Sequence, residues 1–392
     1  MTKLKKHTLK PNLQGFGNLE GLKLILILLL FSVFSCTSEA DKTVERQAII
    51  DSTIVSFQKK LFSAQIDSIF AEKKFNGNIS ISQNGEILYQ KENGFANFKQ
   101  KSKLDSNTVF AIASVSKQFT ASLILLQQEK GKLNVTDFAS QYLADFQKPK
   151  FDKITIHQLL NHTSGLNDFG ENLQFESGTN YSYSNKGYHY LSEIVAKVSG
   201  KSFDENVMEL FQKAEMKHSF TASNFDGKNF GSANIGSIAN AQLVENMPKR
   251  LAEKSIGTAA GGLLSTISDL HKWNNALYSG KILNEESLLQ FKKNYVTREH
   301  YILGNVGYGY GIMMNQGKPE SYFHTGYVKG APSLLIYYPK NNTSVVILSN
   351  FANESLGKEA IFAPHKMVKE ATDLVENAVV ELKSEMMKPT KN

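Results

Sequence analysis

Apolar and polar residues recur with two different periods along the first part of the chain. From about residue 54 to 74 the apolar residues return at the three- and four-residue spacing that predicts an amphipathic helix. The period then changes to two, because apolar and polar residues alternate on both sides of Asn84-Gly85. This pattern predicts a β-hairpin with its turn at those two residues. Residues 94–97 are predicted to form a further extended piece.

The middle of the chain is predicted to be mainly helical. One predicted helix runs from Ser114 to a glycine stop at Gly131. Four others cover residues 156–160, 188–198, 202–211 and 268–277. Residues 223–255 are rich in Asn, Ser and Gly and show little periodicity, so no element is predicted there.

Strand patterns return near the C-terminal end of the chain. The predicted strands cover residues 308–314, 332–338 and 343–349, and an amphipathic helix at 366–383 follows them. Strands at both ends with helices between them predict an α+β fold. In this fold one sheet is built from both ends of the chain, and an all-helical lobe, about residues 115–255, is inserted.

The N-terminal segment has the pattern of an export signal. A basic leader precedes an apolar run at 22–34 that is too short for a comfortable transmembrane helix, and small Ser35 follows. Residues 33–36 resemble the lipobox of bacterial lipoproteins, which implies that Cys36, the only cysteine, is acylated. The alternative is a cysteine that merely ends a hydrophobic run. We predict a signal peptide at 1–35, a tether at 36–53 and a globular domain at 54–385.

Composition and charge limit the possible functions. The chain has 392 residues, of which 41% are hydrophobic and 21% are charged, so it can bury a large core. The net charge is +7, but five lysines before residue 36 supply most of it. The charge therefore gives no indication of nucleic-acid binding. A single cysteine allows no disulfide within the chain, which suits an envelope protein that folds without oxidation.

Ser114 and Lys117 are the first candidate catalytic residues. They lie three positions apart where an apolar helix begins, so they share one face of that helix. The positive end of the helix is expected to lower the pKa of Lys117. A neutral lysine can then take the hydroxyl proton and make the serine a nucleophile. The same spacing occurs at Ser56 and Ser355, so the assignment needs further partners.

Two further short motifs supply those partners. Tyr183-Ser184-Asn185 contains a tyrosine that can relay a proton and an amide that can hold a substrate carbonyl. His324-Thr325-Gly326 lies just before the last two predicted strands. Each motif alone also fits an ordinary polar loop or strand. His162, in a similar His-Thr-Ser-Gly stretch, is interpreted as a structural turn residue.

The three motifs in this order resemble the pattern of serine β-lactamases and penicillin-binding proteins. The similarity also covers residues 75–130, 154–166, 181–200, 261–273 and 307–350. The chain resembles the class C-like branch, which includes D,D-carboxypeptidases, D-amino-acid peptidases and esterases. This resemblance implies an antiparallel sheet flanked by helices, an all-helical lobe and an active site between them.

The resemblance also implies a role for each residue. Ser114 is expected to be the acylated nucleophile, Lys117 its base and Tyr183 a proton carrier. The backbone N–H groups of Ser114 and Tyr327 are expected to form an oxyanion hole, which typically lowers a barrier by a few kcal/mol. Tyr327 stands where relatives usually have a small residue, so its side chain is expected to narrow the cleft. The remaining expected substrate-binding residues are Asn185, His324, Thr325 and Gly326.

The predicted protein is a serine hydrolase that acts through an acyl-enzyme in the bacterial cell envelope, anchored to a membrane by an N-terminal lipid. The expected partner is a small-molecule or peptide substrate, for example one derived from peptidoglycan; no cofactor, metal or nucleic acid is expected. His324 replaces the lysine of many β-lactamases and is mostly neutral at pH 7. We therefore expect an ester, amide or D-amino peptide rather than a clinical β-lactam. The alternative is a non-catalytic cell-wall-binding or penicillin-sensing lipoprotein of the same fold.

Overall fold

The computed structural model describes residues 39–253 and 257–386. The predicted signal peptide, 1–35, and the predicted lipid-attachment residue, Cys36, lie outside the described residues. The described chain divides into two compact units, one formed by residues within 74–365 and the other by residues 39–73 together with 366–386. The predicted domain at 54–385 thus includes the first unit and part of the second.

The helices lie mainly between the first strands and the last strands of the chain. They are, in chain order, α1 Glu39–Lys73, α2 Ser116–Glu129, α3 Ile156–Leu160, α4 Asn185–Ser199, α5 Phe203–Lys213, α6 Thr258–Gly261, α7 Ile267–Tyr278, α8 Glu285–Phe291 and α9 Gly357–Met386. None of the helices in the described ranges is long and apolar enough to cross a membrane.

The strands form one large sheet and three small ones. They are β1 Gly77–Gln83, β2 Glu86–Asn93, β3 Phe95–Asn97, β4 Ser102–Lys103, β5 Phe110–Ala111, β6 Phe220–Thr221, β7 Asn234–Ser237, β8 Asn240–Leu243, β9 Leu263–Ser265, β10 Val296–His300, β11 Gly304–Tyr308, β12 Met313–Asn315, β13 Ser321–Val328, β14 Ala331–Tyr338, β15 Thr343–Ser349 and β16 Phe351–Ala352.

The large sheet confirms the predicted fold class. Its eight strands run in the order β10-β11-β12-β13-β14-β15-β1-β2, and all neighbours are antiparallel. Strand β1 pairs with β15 so that Ile79 lies opposite Ile347, which joins the two ends of the chain in one sheet. Every residue of β1, β14 and β15 is buried, so the centre of the sheet belongs to the core.

Helix α2 lies at the centre of the helical part. Most of its residues are buried, and the Phe119 ring stacks on the ring of Trp273 of α7 at a centroid distance of 3.9 Å. The indole N–H of Trp273 donates to Gln118 Oε1 at 3.1 Å. Trp273, the only tryptophan of the chain, is therefore a core residue.

Two segments differ from their predicted structure. Residues 308–314 were predicted as one strand, but β11 ends at Tyr308 and β12 begins at Met313. Gly311, between them, has φ +67°, and a Cβ on it would come within 2.5 Å of the Lys117 carbonyl oxygen. The chain turns at this glycine because it passes close to α2. Between Lys213 and residue 253 the predicted helical lobe contains no α-helix. Strand β6 precedes the Asn-, Ser- and Gly-rich segment, and that segment contributes β7 and β8 to a small sheet.

In the second unit, helix α1 already begins at Glu39, so part of the predicted tether at 36–53 is helical. No glycine or proline interrupts the helix, and buried Ile50 extends its apolar stripe by one turn. Within this unit Lys383 of α9 forms an ion pair with Asp51 of α1 at 3.2 Å.

Candidate active site

Ser114 lies in a sharp turn that leads from a strand into a buried helix. Strand β5 ends at Ala111, a 3-10 turn spans Ala113–Val115, and α2 begins at Ser116. Ala113 has φ +48°, a left-handed conformation that is uncommon for residues with a Cβ. Ser114 therefore lies immediately before the first turn of α2, close to its predicted position.

The Lys117 side chain is fully buried and contacts three oxygen atoms. Its Nζ lies 2.7 Å from the Ala260 carbonyl oxygen, 2.8 Å from Asn185 Oδ1 and 3.3 Å from Ser114 Oγ. Burial lowers the pKa of Lys117 to about 7, and the charge of Asp168 opposes this shift. The direction agrees with the prediction, but the main cause is burial rather than the helix dipole.

These three contacts suit a neutral amine. A neutral lysine has two N–H donors and one lone pair, whereas an ammonium group has three donors and no lone pair. The oxygens of Ala260 and Asn185 can only accept, so they take both N–H groups of the neutral form. The lone pair is left for the hydroxyl of Ser114. In this state Lys117 Nζ is placed to remove the Ser114 proton.

An acidic residue that the sequence analysis missed holds the start of α4. Ser184 caps this helix, and its hydroxyl donates to the Asp168 carboxylate at 2.7 Å. The same carboxylate accepts from the backbone N–H groups of Asn185 and Lys186, both at 3.0 Å. Asp168 thus fixes the helix end that presents Asn185 to Lys117. Its loop, 167–180, has no readable sequence pattern that could have identified it.

Tyr183 lies beside the lysine and the serine. Lys117 Nζ is 4.7 Å from the centroid of the Tyr183 ring. Burial raises the pKa of Tyr183 well above its usual value, and a hydrogen bond with Ser114 opposes this shift. The phenol therefore stays protonated at neutral pH, so it acts as a proton donor and not as a standing base.

The third motif, 324–326, lies on strand β13 next to the turn that carries Ser114. A Cβ atom on Gly326 would come within 2.4 Å of the Ile112 carbonyl oxygen and 3.0 Å of the Ala113 Cβ. From the sequence, Gly326 is expected to bind substrate. The atoms that meet it here belong to the chain's own turn, so Gly326 lets β13 approach Ser114 closely.

Two residues outside the three motifs, His162 and Tyr308, connect the second motif to the third. Four hydrogen bonds form the connection: Ser184 N to His162 Nδ1 at 3.2 Å, His162 Nε2 to Tyr308 Oη at 3.0 Å, Tyr308 Oη to His324 Nε2 at 3.1 Å, and His324 Nδ1 to the Thr325 carbonyl oxygen at 2.6 Å. All the side-chain atoms involved are buried.

One arrangement of protons satisfies these four bonds. Burial and the neighbouring Lys117 lower the pKa of both His162 and His324 well below the usual value, so both rings are neutral. A backbone N–H donates to His162 Nδ1, which leaves the proton of that ring on Nε2. A carbonyl oxygen accepts from His324 Nδ1, which leaves Nε2 of that ring unprotonated. Tyr308 therefore accepts from His162 and donates to His324.

His162 is consequently more than the turn residue that the sequence analysis expected. Its φ of +64° does place it in a left-handed turn. However, its ring also lies 4.3 Å from the ring of Tyr183, centroid to centroid. The local sequence signals only the turn, since the partners of His162 lie 22 and 146 positions away.

Replacing Tyr308 by Phe is expected to disrupt this chain of hydrogen bonds. The change leaves one buried donor and one buried acceptor without a partner, which we expect to reduce stability by about 2 to 4 kcal/mol. Acylation of Ser114 is expected to slow by about tenfold, because the two motifs are no longer held together. Thermal unfolding and the acylation rate measure the two effects. Tyr337→Phe is the matched control, because the Tyr337 hydroxyl donates to Asn342 Oδ1 at 3.1 Å near the surface, away from the two motifs. Equal effects of both changes would contradict the connection.

A cavity of about 230 Å³ opens beside Ser114. Asn185 and Tyr327 form parts of its wall. The hydroxyl of Tyr327 donates to Glu354 and accepts from the backbone N–H of Gly330, so the ring is held in place as one side of the cavity. An oxyanion hole formed by the N–H groups of Ser114 and Tyr327 remains a prediction.

The described structure bears on two other kinds of site, a metal site and a second cleft. Within residues 39–253 and 257–386, no group of three or more His, Cys, Asp or Glu side chains is arranged to hold a metal ion. A larger cleft of about 570 Å³, lined by Lys272, Tyr278 and other residues, contains none of the predicted catalytic residues.

Comparison with known proteins agrees with the geometry of the site. The Beta-lactamase family model matches residues 66–363, well over half of the chain. A penicillin-binding protein of Bacillus subtilis (strain 168) is 26% identical over 347 residues, which cover 78% of this chain and 74% of the relative.

Solved structures show the same fold. The penicillin-binding protein from Bacillus halodurans has a TM-score of 0.67 and 25% identity, with 79% of this chain and 98% of that chain covered. The D-amino acid amidase from Ochrobactrum anthropi SV3 has a TM-score of 0.67 and 20% identity, with coverage of 80% and 99%. The chain described here belongs to the beta-lactamase family of serine hydrolases.

Proposed function

We propose that this protein is an exported, lipid-anchored hydrolase whose nucleophile is Ser114 and whose reaction passes through an acyl-enzyme. The observation that carries the proposal is the contact between Ser114 and buried Lys117. Lys117 Nζ lies 3.3 Å from Ser114 Oγ, and its two other contacts use the N–H groups of the neutral amine. With a pKa of about 7, a large share of Lys117 is neutral at physiological pH.

In the proposed acylation step, Ser114 Oγ attacks the substrate carbonyl carbon while its proton passes to Lys117 Nζ. The N–H groups of Ser114 and Tyr327 stabilise the oxyanion. Tyr183 then donates its proton to the leaving group and recovers one from Lys117. In deacylation, water attacks the acyl carbonyl carbon and gives a proton to Lys117 Nζ. The bond between that carbon and Ser114 Oγ then breaks, Lys117 returns the proton to Ser114 Oγ, and the acid product leaves.

The state of His324 supports an ester, an amide or a D-amino peptide as the substrate. Its ring is neutral, because burial lowers its pKa well below the usual value. Tyr308 donates to its Nε2, so the ring offers no positive charge to a substrate carboxylate. Rapid cephalosporin hydrolysis by the purified protein, at rates typical of dedicated β-lactamases, would contradict this substrate assignment.

The cellular location rests on the N-terminal sequence. The apolar run at 22–34 and the lipobox-like residues 33–36 support export and acylation of Cys36. A bacterial envelope hydrolase anchored in this way would meet substrates outside the cytoplasm, such as fragments of peptidoglycan.

Covalent labelling of Ser114 tests the proposal. Full-length protein in detergent would be treated with a fluorophosphonate and, separately, with a labelled penicillin. Intact mass would then be compared between the wild type and Ser114→Ala. We expect fluorophosphonate labelling of the wild type and none of the variant. Persistent labelling by penicillin would indicate a site that accepts D-Ala-D-Ala-like ligands and deacylates slowly. Absence of any label on Ser114 would favour a non-catalytic binding protein instead.

A further inference from the structure

Two basic side chains line the cavity beside Ser114. Arg250 and Lys329 belong to its wall, and both are exposed to solvent. Arg250 comes from a short 3-10 turn, and Lys329 directly follows β13. No Asp or Glu is among the residues that form the wall. The charged side chains that face this cavity are therefore positive.

Neither cation is neutralised by a neighbouring acid. In the described part of the chain, no ion pair or side-chain hydrogen bond engages Arg250 or Lys329. The carboxylates of Asp168 and Glu354 are both engaged in other hydrogen bonds. Asp168 accepts three hydrogen bonds at the start of α4, and Glu354 accepts from the Tyr327 hydroxyl. An anion that enters the cavity therefore meets two positive charges without displacing an internal partner.

The position of the proton carriers decides which part of a substrate enters the cavity. A leaving group must reach Tyr183 or Lys117 to receive its proton. Neither of these residues is part of the cavity wall, whereas Ser114 is. The part of the substrate that occupies the cavity is therefore the acyl group that stays on Ser114.

We propose that this cavity binds a carboxylate carried by the acyl group, so that the enzyme prefers monoesters or monoamides of dicarboxylic acids, including peptides with an acidic acyl residue. This inference rests on the proposed function, since it needs Ser114 to be acylated. It places anion recognition on the acyl side of the site, at Arg250 and Lys329. His324 is neutral, so the motif at 324–326 offers no positive charge that could bind a substrate carboxylate.

Matched pairs of substrates test the preference. Full-length enzyme would be assayed with the mono-4-nitrophenyl esters of succinic, glutaric and adipic acid. Each would be compared with the same molecule whose free carboxylate is a methyl ester, and nitrophenolate release would be recorded. For the best chain length we expect kcat/KM of the acid to exceed that of its methyl ester by about tenfold at low salt. Raising the salt from about 20 to 500 mM should reduce the ratio, because exposed charges are screened.

Variants that remove a positive charge show which residues cause the preference for the acid over its methyl ester. Arg250→Gln with Lys329→Gln is expected to bring the ratio close to one. The ratio is taken within each variant, so a general loss of activity cancels. Lys132→Gln removes an exposed lysine near the end of α2 and should keep the wild-type ratio.

The outcomes separate the two proposals. Turnover of both esters with a ratio near one in the wild type would overturn this inference alone, and so would an unchanged ratio in the double variant. No turnover of any ester, together with no fluorophosphonate label on Ser114, would overturn the proposed function and this inference with it.

Discussion

Replacing Lys117 by Met is expected to slow the acylation of Ser114 by about 1,000-fold, within the range known for loss of a general base. The methionine fills the buried site but offers no lone pair to the serine hydroxyl. The rate of fluorophosphonate labelling, followed by intact mass, measures this effect. Lys117→Arg is the matched control, because arginine keeps a positive charge and cannot act as a base at neutral pH. We expect it to be equally slow, and a rate near that of the wild type would contradict the role of Lys117 as the base.

The pH dependence of the wild type follows from the same group. Since only the neutral amine accepts the Ser114 proton, the acylation rate should rise with pH through the Lys117 pKa of about 7. Two pH units below that value the rate should be lower by about 100-fold. A rate that is flat between pH 5 and 9 would exclude Lys117 as the group that titrates.

Lys117 should also make the free energy of unfolding depend on pH. Its pKa is about 7 in the folded state against 10.5 for the free side chain. Between these two pH values the unfolded chain binds more protons than the folded chain. The contribution of Lys117 to the free energy of unfolding therefore rises with pH in this range, and the gain is lost as the pH falls toward the pKa of the folded state. Lys117→Met should remove this part of the pH dependence, which denaturant unfolding at several pH values measures.

Replacing Gly326 by Ala is expected to reduce stability by about 1 to 3 kcal/mol, because the new methyl group overpacks a close backbone contact. Its Cβ would lie 2.4 Å from both the Ile112 carbonyl oxygen and Ser333 Oγ. Relief requires that β13 move away from the turn that carries Ser114. Because Tyr327 moves with the strand, acylation should slow by about 100-fold. Tm and the labelling rate measure the two effects.

Gly187→Ala is the matched control for this change. Gly187 lies inside α4, and a Cβ there would make only ordinary contacts, the nearest at 3.7 Å. Alanine in a helix is favoured over glycine by about 0.5 to 1 kcal/mol, so this variant should be as stable as the wild type or more so. If Gly326→Ala behaved in the same way, the close approach of β13 to the Ser114 turn would be wrong.

Local patterns in the sequence were sufficient for much of the fold. The hairpin at Asn84-Gly85, the closing strands β14 and β15, and helix α3 at Ile156–Leu160 depend on periodicity and turn residues that lie close together in the chain. The three motifs were also readable in sequence, because their order along the chain is informative even where each is weak alone. For the same reason the family assignment did not need coordinates.

The tertiary structure decided what these residues can do. The pKa of Lys117 depends on burial and on the charge of Asp168, which lies 51 positions away in the chain. The connection through His162, Tyr308 and His324 joins residues 146 and 16 positions apart. No local pattern encodes such pairs, because each residue alone fits an ordinary turn or strand. The sequence by itself thus determined the family and the candidate residues, whereas protonation states and supporting contacts followed only from packing, which brings distant residues together and removes water from them.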